Sequence, residues 1–180
     1  MEEFGRIIVS ETAMNSENLH DVIHSNISVI NLMREEGVDD EFIHPDALMS
    51  YYLDYYWSQY AEGNFAQFVY KAGWNKELNE LIEEGLALIG AEKHLELFQQ
   101  QSKKVKLMSS VNLNKFVSGK FEGVNPVRDS LNNDTFYELE ENLVSLNANF
   151  LKNHPDFEVL SVDDMFAALE EYVGHEIKRA

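Results

Sequence analysis

Hydrophobic side chains recur along most of this chain at the three- and four-residue spacing of an α-helix. Residues 16–37, 75–90 and 134–155 each place their apolar side chains on one helical face. Residues 44–63 are apolar around almost the whole helix, which is typical of a helix in the middle of a core. The pattern predicts an all-α fold: a single compact helical domain over residues 1–180, with about six to eight helices.

The periodicity weakens between residues 109 and 133. Short apolar groups alternate there with the turn-forming residues Ser, Asn and Gly. No helix is assigned to this segment from its pattern, and a short strand pair within 105–125 fits the sequence.

Ten of the 21 aromatic side chains fall in the stretch YYLDYYWSQYAEGNFAQFVYKAGW. We predict a structural corner in its middle, where Gly63 ends one helix in the left-handed conformation and Asn64 caps the next. Gln67 would reach back to the Asn64 N–H in a capping box. Phe65 and Phe68 would then point into the aromatic cluster. The alternative interpretation is a ligand pocket lined with Tyr hydroxyl groups.

The formal net charge is −18, from 32 acidic and 14 basic side chains. Such a chain repels nucleic acid and anionic membranes and attracts basic protein surfaces. We predict a partner-binding acidic surface formed by Glu35, Glu36, Asp39, Asp40, Glu41, Glu77, Glu80, Glu83, Glu84, Glu138, Glu140 and Glu141. The competing interpretation is that these carboxylates are solvated helix faces that keep the protein in solution.

Residues 101–120 have the opposite charge to the rest of the chain, because they contain five Lys and no acidic residue. A basic strip on an acidic chain can meet the acidic face of a second subunit. A homodimer is therefore one expectation, and a simply solvated strip is the other.

The sequence contains no recognisable reaction centre. There is no Cys, which excludes disulfides and zinc–thiolate sites. His20 and His24 have the i, i+4 spacing of a metal pair but lack the Glu of a zinc-protease helix. Glu17 with His20, and Glu41 with His44, have the Glu-x-x-His spacing of di-iron bundles, without the inward-facing pattern that such sites need. We therefore expect no catalytic residues, no metal and no cofactor.

The N-terminal stretch MEEFGRIIVSETAMN opens with acidic residues and holds a three-residue apolar run. A signal peptide needs a basic start and a longer apolar segment. No run approaches the roughly 18 apolar residues that span a bilayer. We expect a cytoplasmic protein that does not bind membranes.

The corner also carries a family resemblance. The stretch EGNFAQFVYKAG resembles the signature of a bacterial family with a domain of unknown function, founded on a DNA mimic protein. The matching positions are Gly63, Asn64, Phe65, Gln67, Phe68, Tyr70 and Gly73. ALIGAEKHLELF and FYELEENLVSLNANFLKNHPDF are also similar to that family, so the family-like core covers about residues 45–157. The resemblance implies a helical, often dimeric, cytoplasmic protein; in the founding member, acidic surface occupies a transcription factor's DNA-binding site.

Charge and resemblance together favour a non-enzymatic interaction protein. Its acidic face would bind a basic protein surface, such as that of a DNA-binding protein, without binding nucleic acid directly. Two alternatives stay open. One is an immunity-type protein that neutralises a toxin, and the other is a metal-dependent helical enzyme.

Overall fold

The computed structural model describes residues 2–179, and this part of the chain is mostly helical. Its elements are β1 (Ile7–Ser10), α1 (Glu11–Met14), α2 (His20–Glu35), a 3-10 turn (Asp40–Phe42), α3 (Pro45–Ala72), α4 (Lys76–Leu88), α5 (Glu92–Lys106), α6 (Ser110–Ser118), α7 (Pro126–Leu131), α8 (Thr135–Glu138), α9 (Leu143–Lys152), β2 (Phe157–Leu160) and α10 (Val162–Val173). The predicted all-α class is confirmed.

The chain groups into two units. Unit 1 runs up to Tyr51 and resumes at Asn147, and unit 2 runs from Tyr52 to Leu146. Helices α3 and α9 each contribute residues to both. The single domain over residues 1–180 stays a prediction.

Unit 1 is built around a parallel pair of short strands, in which Ile7 of β1 lies opposite Phe157 of β2. The run Ile7-Ile8-Val9 is fully buried, and β-branched residues favour a strand that packs on both faces. Helix α2 packs against β1 with the apolar stripe that its periodicity predicts, including the buried Ile23 and Ile30. These aliphatic side chains form the core of unit 1.

The prediction of a short strand pair within residues 105–125 is wrong. Residues 110–118 form helix α6, whose first turn is capped by Ser109: its Oγ accepts the Asn112 N–H at 3.2 Å. Phe116 buries the inner face of this helix. Ser and Asn weaken the helical signal because they also favour turns, and a single anchoring aromatic is too little to show a period. The strands lie instead at β1 and β2.

Unit 2 has an aromatic core. Its fully buried members are Tyr56, Tyr60, Phe65, Phe68 and Phe98. Tyr56 meets Tyr60, Phe68 and Phe98 edge to face, with ring centroids 5.2–5.8 Å apart. This geometry is favourable because it sets positive ring edges against negative ring faces. The prediction that Phe65 and Phe68 point into the cluster is confirmed.

The corner between the two halves of α3 exists, and Asn64 accepts a backbone N–H at the start of the second half as predicted, but the predicted roles of Gly63 and Gln67 are wrong. Asn64, not Gly63, takes the positive φ of 68°, with ψ near 180°, while Gly63 has φ −148°. The Gln67 amide bonds Gln59 and Glu62 rather than the Asn64 N–H, so no capping box forms. Gly63 is needed for space, because an added Cβ would lie 2.7 Å from the Gln67 Cβ.

Asn64 fixes this corner through its own side chain. Its Oδ1 accepts the N–H groups of Phe65 and Asn133, both at 2.7 Å, and its Nδ2 donates to Asp134 at 2.9 Å. The backbone of Asn64 lies in a region that only glycine adopts readily, at a cost of about 1–3 kcal/mol. Three hydrogen bonds from one buried amide offset that strain and tie the corner to the loop before α8.

Candidate acidic interface

The negative charge is concentrated in unit 1. This unit contains 18 acidic and 5 basic residues, a net charge of −13, whereas unit 2 contains 14 and 9, a net charge of −5. Five of the twelve predicted acidic site residues belong to unit 1, and the other seven belong to unit 2.

The first acidic group follows the end of α2. Two of its members are held by neighbours: Asp40 receives two hydrogen bonds from the Arg34 guanidinium, at 2.8 and 2.9 Å, and Glu36 bonds the His175 ring at 2.7 Å. The bond to Glu36 raises the pKa of His175 above its ordinary value. The other members, Glu35, Asp39 and Glu41, are exposed.

The fold brings a second set of acids beside this group. The Tyr172 hydroxyl at the end of α10 bonds the Phe42 carbonyl oxygen at 3.3 Å, and His175 bonds Glu36. The segment around these contacts carries further exposed carboxylates. We name as the acidic ridge the exposed residues Glu35, Asp39, Glu41, Glu171 and Glu176. Sequence reasoning placed Glu35, Asp39 and Glu41 on the predicted acidic surface, but the approach of the segment that carries Glu171 and Glu176 depends on long-range contacts that no local pattern shows.

The second predicted group lies on α4. Glu77, Glu80 and Glu84 are exposed on one face of the helix, and Glu83 is half-buried beside it. Lys76 lies 3.4 Å from Glu80 at i, i+4. Three carboxylates over seven residues give about one charge per 5 Å of helix.

The third predicted group consists of Glu138, Glu140 and Glu141, and Glu141 differs from the other two in its contacts. The Glu141 carboxylate accepts the backbone N–H groups of Lys93, at 2.9 and 3.1 Å, and of His94, at 3.2 Å. It therefore caps the start of α5 and complements that helix dipole. Glu138 and Glu140 are exposed. A partner-binding role stays a prediction for all twelve residues.

Two identical tripeptides, His-Pro-Asp at 44–46 and at 154–156, form a reciprocal pair in unit 1. His154 Nε2 lies 2.9 Å from Asp46 Oδ2, and His44 Nε2 lies 3.3 Å from Asp156 Oδ2. Each Nδ1 accepts the backbone N–H of the Asp two residues later, at 3.1 Å. Sequence reasoning missed this pair, although the repeated tripeptide was a visible signal.

This cluster resembles a metal site in its donor atoms. His44, His154 and Asp156 place one ligand atom each within 4.8 Å of one another, and two histidines with one carboxylate are a common donor set. A ligating histidine carries its proton on the nitrogen opposite the metal. Here Nδ1 accepts a backbone N–H in both rings, so the neutral ring carries its proton on Nε2. The geometry therefore fits hydrogen bonds between the two tripeptides better than a metal site. We call these two His–Asp contacts, His154 with Asp46 and His44 with Asp156, the His-Pro-Asp pair.

The other histidine pairs do not assemble as Glu-x-x-His sites. The rings of His20 and His24 lie against each other with centroids 4.0 Å apart and planes tilted by 38°. His44 faces Asp156 and not Glu41. The absence of enzymatic activity stays a prediction.

The basic strip keeps its exposed character in unit 2. Lys103, Lys104, Lys106, Lys115 and Lys120 are all exposed. Within residues 2–179, no helix combines the length and the apolar character needed to cross a membrane.

One comparison with known proteins gives a match. The family model described as DMP19-like protein, named for DNA mimic protein 19, matches residues 41–154. The match covers well over half of the chain and confirms the family that the corner motif indicates. Comparisons with curated proteins and with solved structures give no significant match. The matched range includes all of unit 2, while β1, α2 and α10 lie outside it.

Proposed function

The chain belongs to the DMP19-like family, and on that premise we propose that it is a non-enzymatic interaction protein that binds the basic surface of a DNA-binding protein. The observation that supports this proposal is the acidic ridge of unit 1. There the contacts of Tyr172 and His175 bring two acidic segments, far apart in the sequence, against each other.

Charge density explains why such convergence matters. Duplex DNA carries about one negative charge per 1.7 Å of axis, or one per 3.4 Å on each strand. A single acidic helix, with an acid every three or four residues, supplies only about one per 5 Å. Two acidic segments side by side come closer to the density that a DNA-binding surface recognises.

The partner is a protein rather than a nucleic acid. A net charge of −18 repels phosphate at long range, and unit 1 carries −13 of it. Opposite charges on a partner would accelerate association, with salt screening the attraction over about 8 Å at physiological ionic strength.

Affinity capture from the source cells tests this function. The tagged protein should recover a DNA-binding protein, increasing salt should release it, and duplex DNA should compete for it. A variant with Glu35→Gln, Asp39→Asn and Glu41→Gln should recover less of the same protein, because it removes three ridge charges.

The matched control removes three exposed charges from unit 2, with Glu77→Gln, Glu84→Gln and Glu138→Gln. Recovery that resists salt, or that DNA leaves unchanged, would contradict the mimic role. A toxin recovered in place of a DNA-binding protein would support the immunity-type alternative.

A homodimer is part of the same proposal. The exposed basic strip of one copy would meet acidic surface of a second copy, and salt would weaken this contact. Sedimentation velocity at low and high salt tests it: a monomer at both would rule this contact out.

A further inference from the structure

An open groove lies between α2 and α10 in unit 1. Its volume is about 650 Å³, and its two helical walls are the face of α2 from Asp21 to Leu32 and the face of α10 from Val162 to Leu169. The rest of its lining comes from the end of β1 and the region of α1, at Ser10, Thr12, Ala13 and Ser16. The lining positions on both helices repeat every three or four residues, so each wall is a single helix face. At 1.5 Å per residue the α2 wall is about 16 Å long, or about three helical turns.

Two serine side chains on the α2 wall, Ser25 and Ser28, are hydrogen-bonded within the protein. Ser25 Oγ accepts the Ser10 N–H at 2.9 Å, and Ser28 Oγ donates to the His24 carbonyl oxygen at 2.8 Å. Each hydroxyl group therefore has one hydrogen-bond partner within the protein. An occupant does not have to supply hydrogen bonds to them, and it gains more from apolar contact.

The α10 side presents apolar surface to water. Val162 is 54% exposed, and Met165 and Phe166 are half-buried. Leu32 on the α2 wall is also half-buried. Burial of such surface contributes about 25 cal/mol per Å². A continuous apolar wall of this kind marks a binding site more often than isolated surface residues do.

The rim of the groove is acidic. Asp21 lines it, and the exposed residues Glu11, Glu17, Asp163 and Asp164 each lie within one residue in the chain of a lining residue. Within residues 2–179 none of the groove-lining residues is Lys or Arg, but Arg179 forms an ion pair with Asp163, and its guanidinium lies 4.7 Å from the centroid of the lining Phe166 ring. The four other acids leave the rim with a net negative charge. The rim therefore favours a cationic occupant, and the apolar wall favours one with a hydrophobic face.

We propose that this groove binds an amphipathic helix of a partner protein, with apolar side chains against α10 and Lys or Arg at the rim. The inference rests on the proposed function, because it assigns the basic partner a docking position. A helix suits the groove better than a small molecule, because the groove is open to solvent and a helix with anchors at i, i+4, i+7 and i+11 spans about 16 Å, the length of the α2 wall.

A labelled model peptide tests the groove directly. The probe is a helix of about 14 residues with Leu at i, i+4, i+7 and i+11 and Lys on the other face, and its companion is a scrambled peptide of identical composition. Fluorescence anisotropy at about physiological salt measures both affinities. The periodic peptide should bind about tenfold tighter than the scrambled one, a difference of about 1.4 kcal/mol.

The groove variant combines Val162→Ser with Met165→Gln, which removes apolar surface without changing charge. It should weaken the periodic peptide about tenfold. The matched control combines Val111→Ser with Leu107→Gln at exposed apolar positions of unit 2 and should leave the affinity unchanged. Circular dichroism checks that both variants stay folded.

The outcomes separate this inference from the function on which it rests. If both peptides bind equally and salt releases both, the groove plays no part and the acidic surface alone binds cations. Unchanged affinity in the groove variant would overturn the inference in the same way. If neither peptide binds, the groove inference is wrong; the capture experiment with DNA competition still tests the proposed function separately.

Discussion

Units 1 and 2 differ in the side chains that form their cores, in their net charge and in how much of each the family match covers. Unit 2 packs aromatic rings around Tyr56 and carries a net charge of −5, and the family match covers all of it. Unit 1 packs aliphatic side chains around two short strands and carries −13, and much of it lies outside the match. The family match therefore lies mainly in unit 2, whereas most of the negative charge that supports the proposed function lies in unit 1.

The two units also use polar groups differently. In unit 2 one strained, buried Asn holds the corner of α3. In unit 1 the two His-Pro-Asp tripeptides are hydrogen-bonded to each other. Substitutions at these two sites test whether the stability of the two units depends on different interactions.

The largest effect is expected at Asn64. Asn64→Ala loses three hydrogen bonds and keeps the unfavourable backbone, so it should lower the free energy of unfolding by about 2–4 kcal/mol. Asn64→Gly loses the same bonds but relieves the backbone strain, and it should be less destabilising by at least about 1 kcal/mol. Urea denaturation measures both. Equal losses would show that the backbone of Asn64 is not strained.

The next largest effect is expected at the hydrogen bonds between the two His-Pro-Asp tripeptides of unit 1. His154→Gln removes the bond to Asp46, and its amide cannot keep both ring contacts, so stability should fall by about 1–3 kcal/mol. His24→Gln, at an exposed ring, is the control and should have little effect. Thermal unfolding measures the difference. A different outcome would contradict the hydrogen-bonded interpretation. If the Tm of the unsubstituted protein rises with added zinc and falls with chelator, and the Tm of His154→Gln does not respond to either, the two tripeptides form a metal site.

A smaller effect separates two hydroxyl groups in the aromatic core of unit 2. Tyr60 donates to the Asn133 carbonyl oxygen at 2.8 Å, so Tyr60→Phe should lower stability by about 1 kcal/mol. The buried Tyr56 hydroxyl has no partner among the described residues, and burial raises its pKa. Tyr56→Phe should therefore be neutral or stabilising. If Tyr56→Phe destabilises as much as Tyr60→Phe, the hydroxyl has a partner, such as an ordered water.

The smallest effect is electrostatic and lies beside the ridge. Glu36 raises the pKa of His175 in the folded protein. The resulting stabilisation is present below the ordinary pKa of His and is lost as the pH rises through the raised one. NMR titration of His175 should show a return toward the ordinary pKa in Glu36→Gln. Glu35→Gln is the control and should leave the His175 pKa raised.

The sequence predicted features that depend on local periodicity. The stripe of α2, the amphipathic α4 and the aromatic core around Phe65 and Phe68 all follow from spacing, because one side chain in three or four must face the core. The exposure of most predicted acids follows from the cost of burying a charge. A local pattern also explains the start of α10, where Ser161 Oγ accepts the Asp164 N–H at 3.1 Å.

Features that depend on distant partners were missed. The strands pair across almost the whole chain, and the run Ile7-Ile8-Val9 alone does not reveal its partner at 157–160. Glu141 was predicted on a partner-binding surface, but its carboxylate caps α5 from 47 residues away. At the corner, the rule that glycine takes positive φ gave the wrong residue, because the bonds of Asn64 to residues 133 and 134 outweigh the strain.

The central claim is that the charges of unit 1, rather than total charge, bind the basic partner. The direct measurement is the affinity of the captured partner for the triple ridge variant and for the triple unit 2 variant, which have equal net charge. The account predicts a loss of about tenfold for the ridge variant, or about 1.4 kcal/mol, and a much smaller loss for the other. Equal losses, or a larger loss in the unit 2 variant, would contradict it.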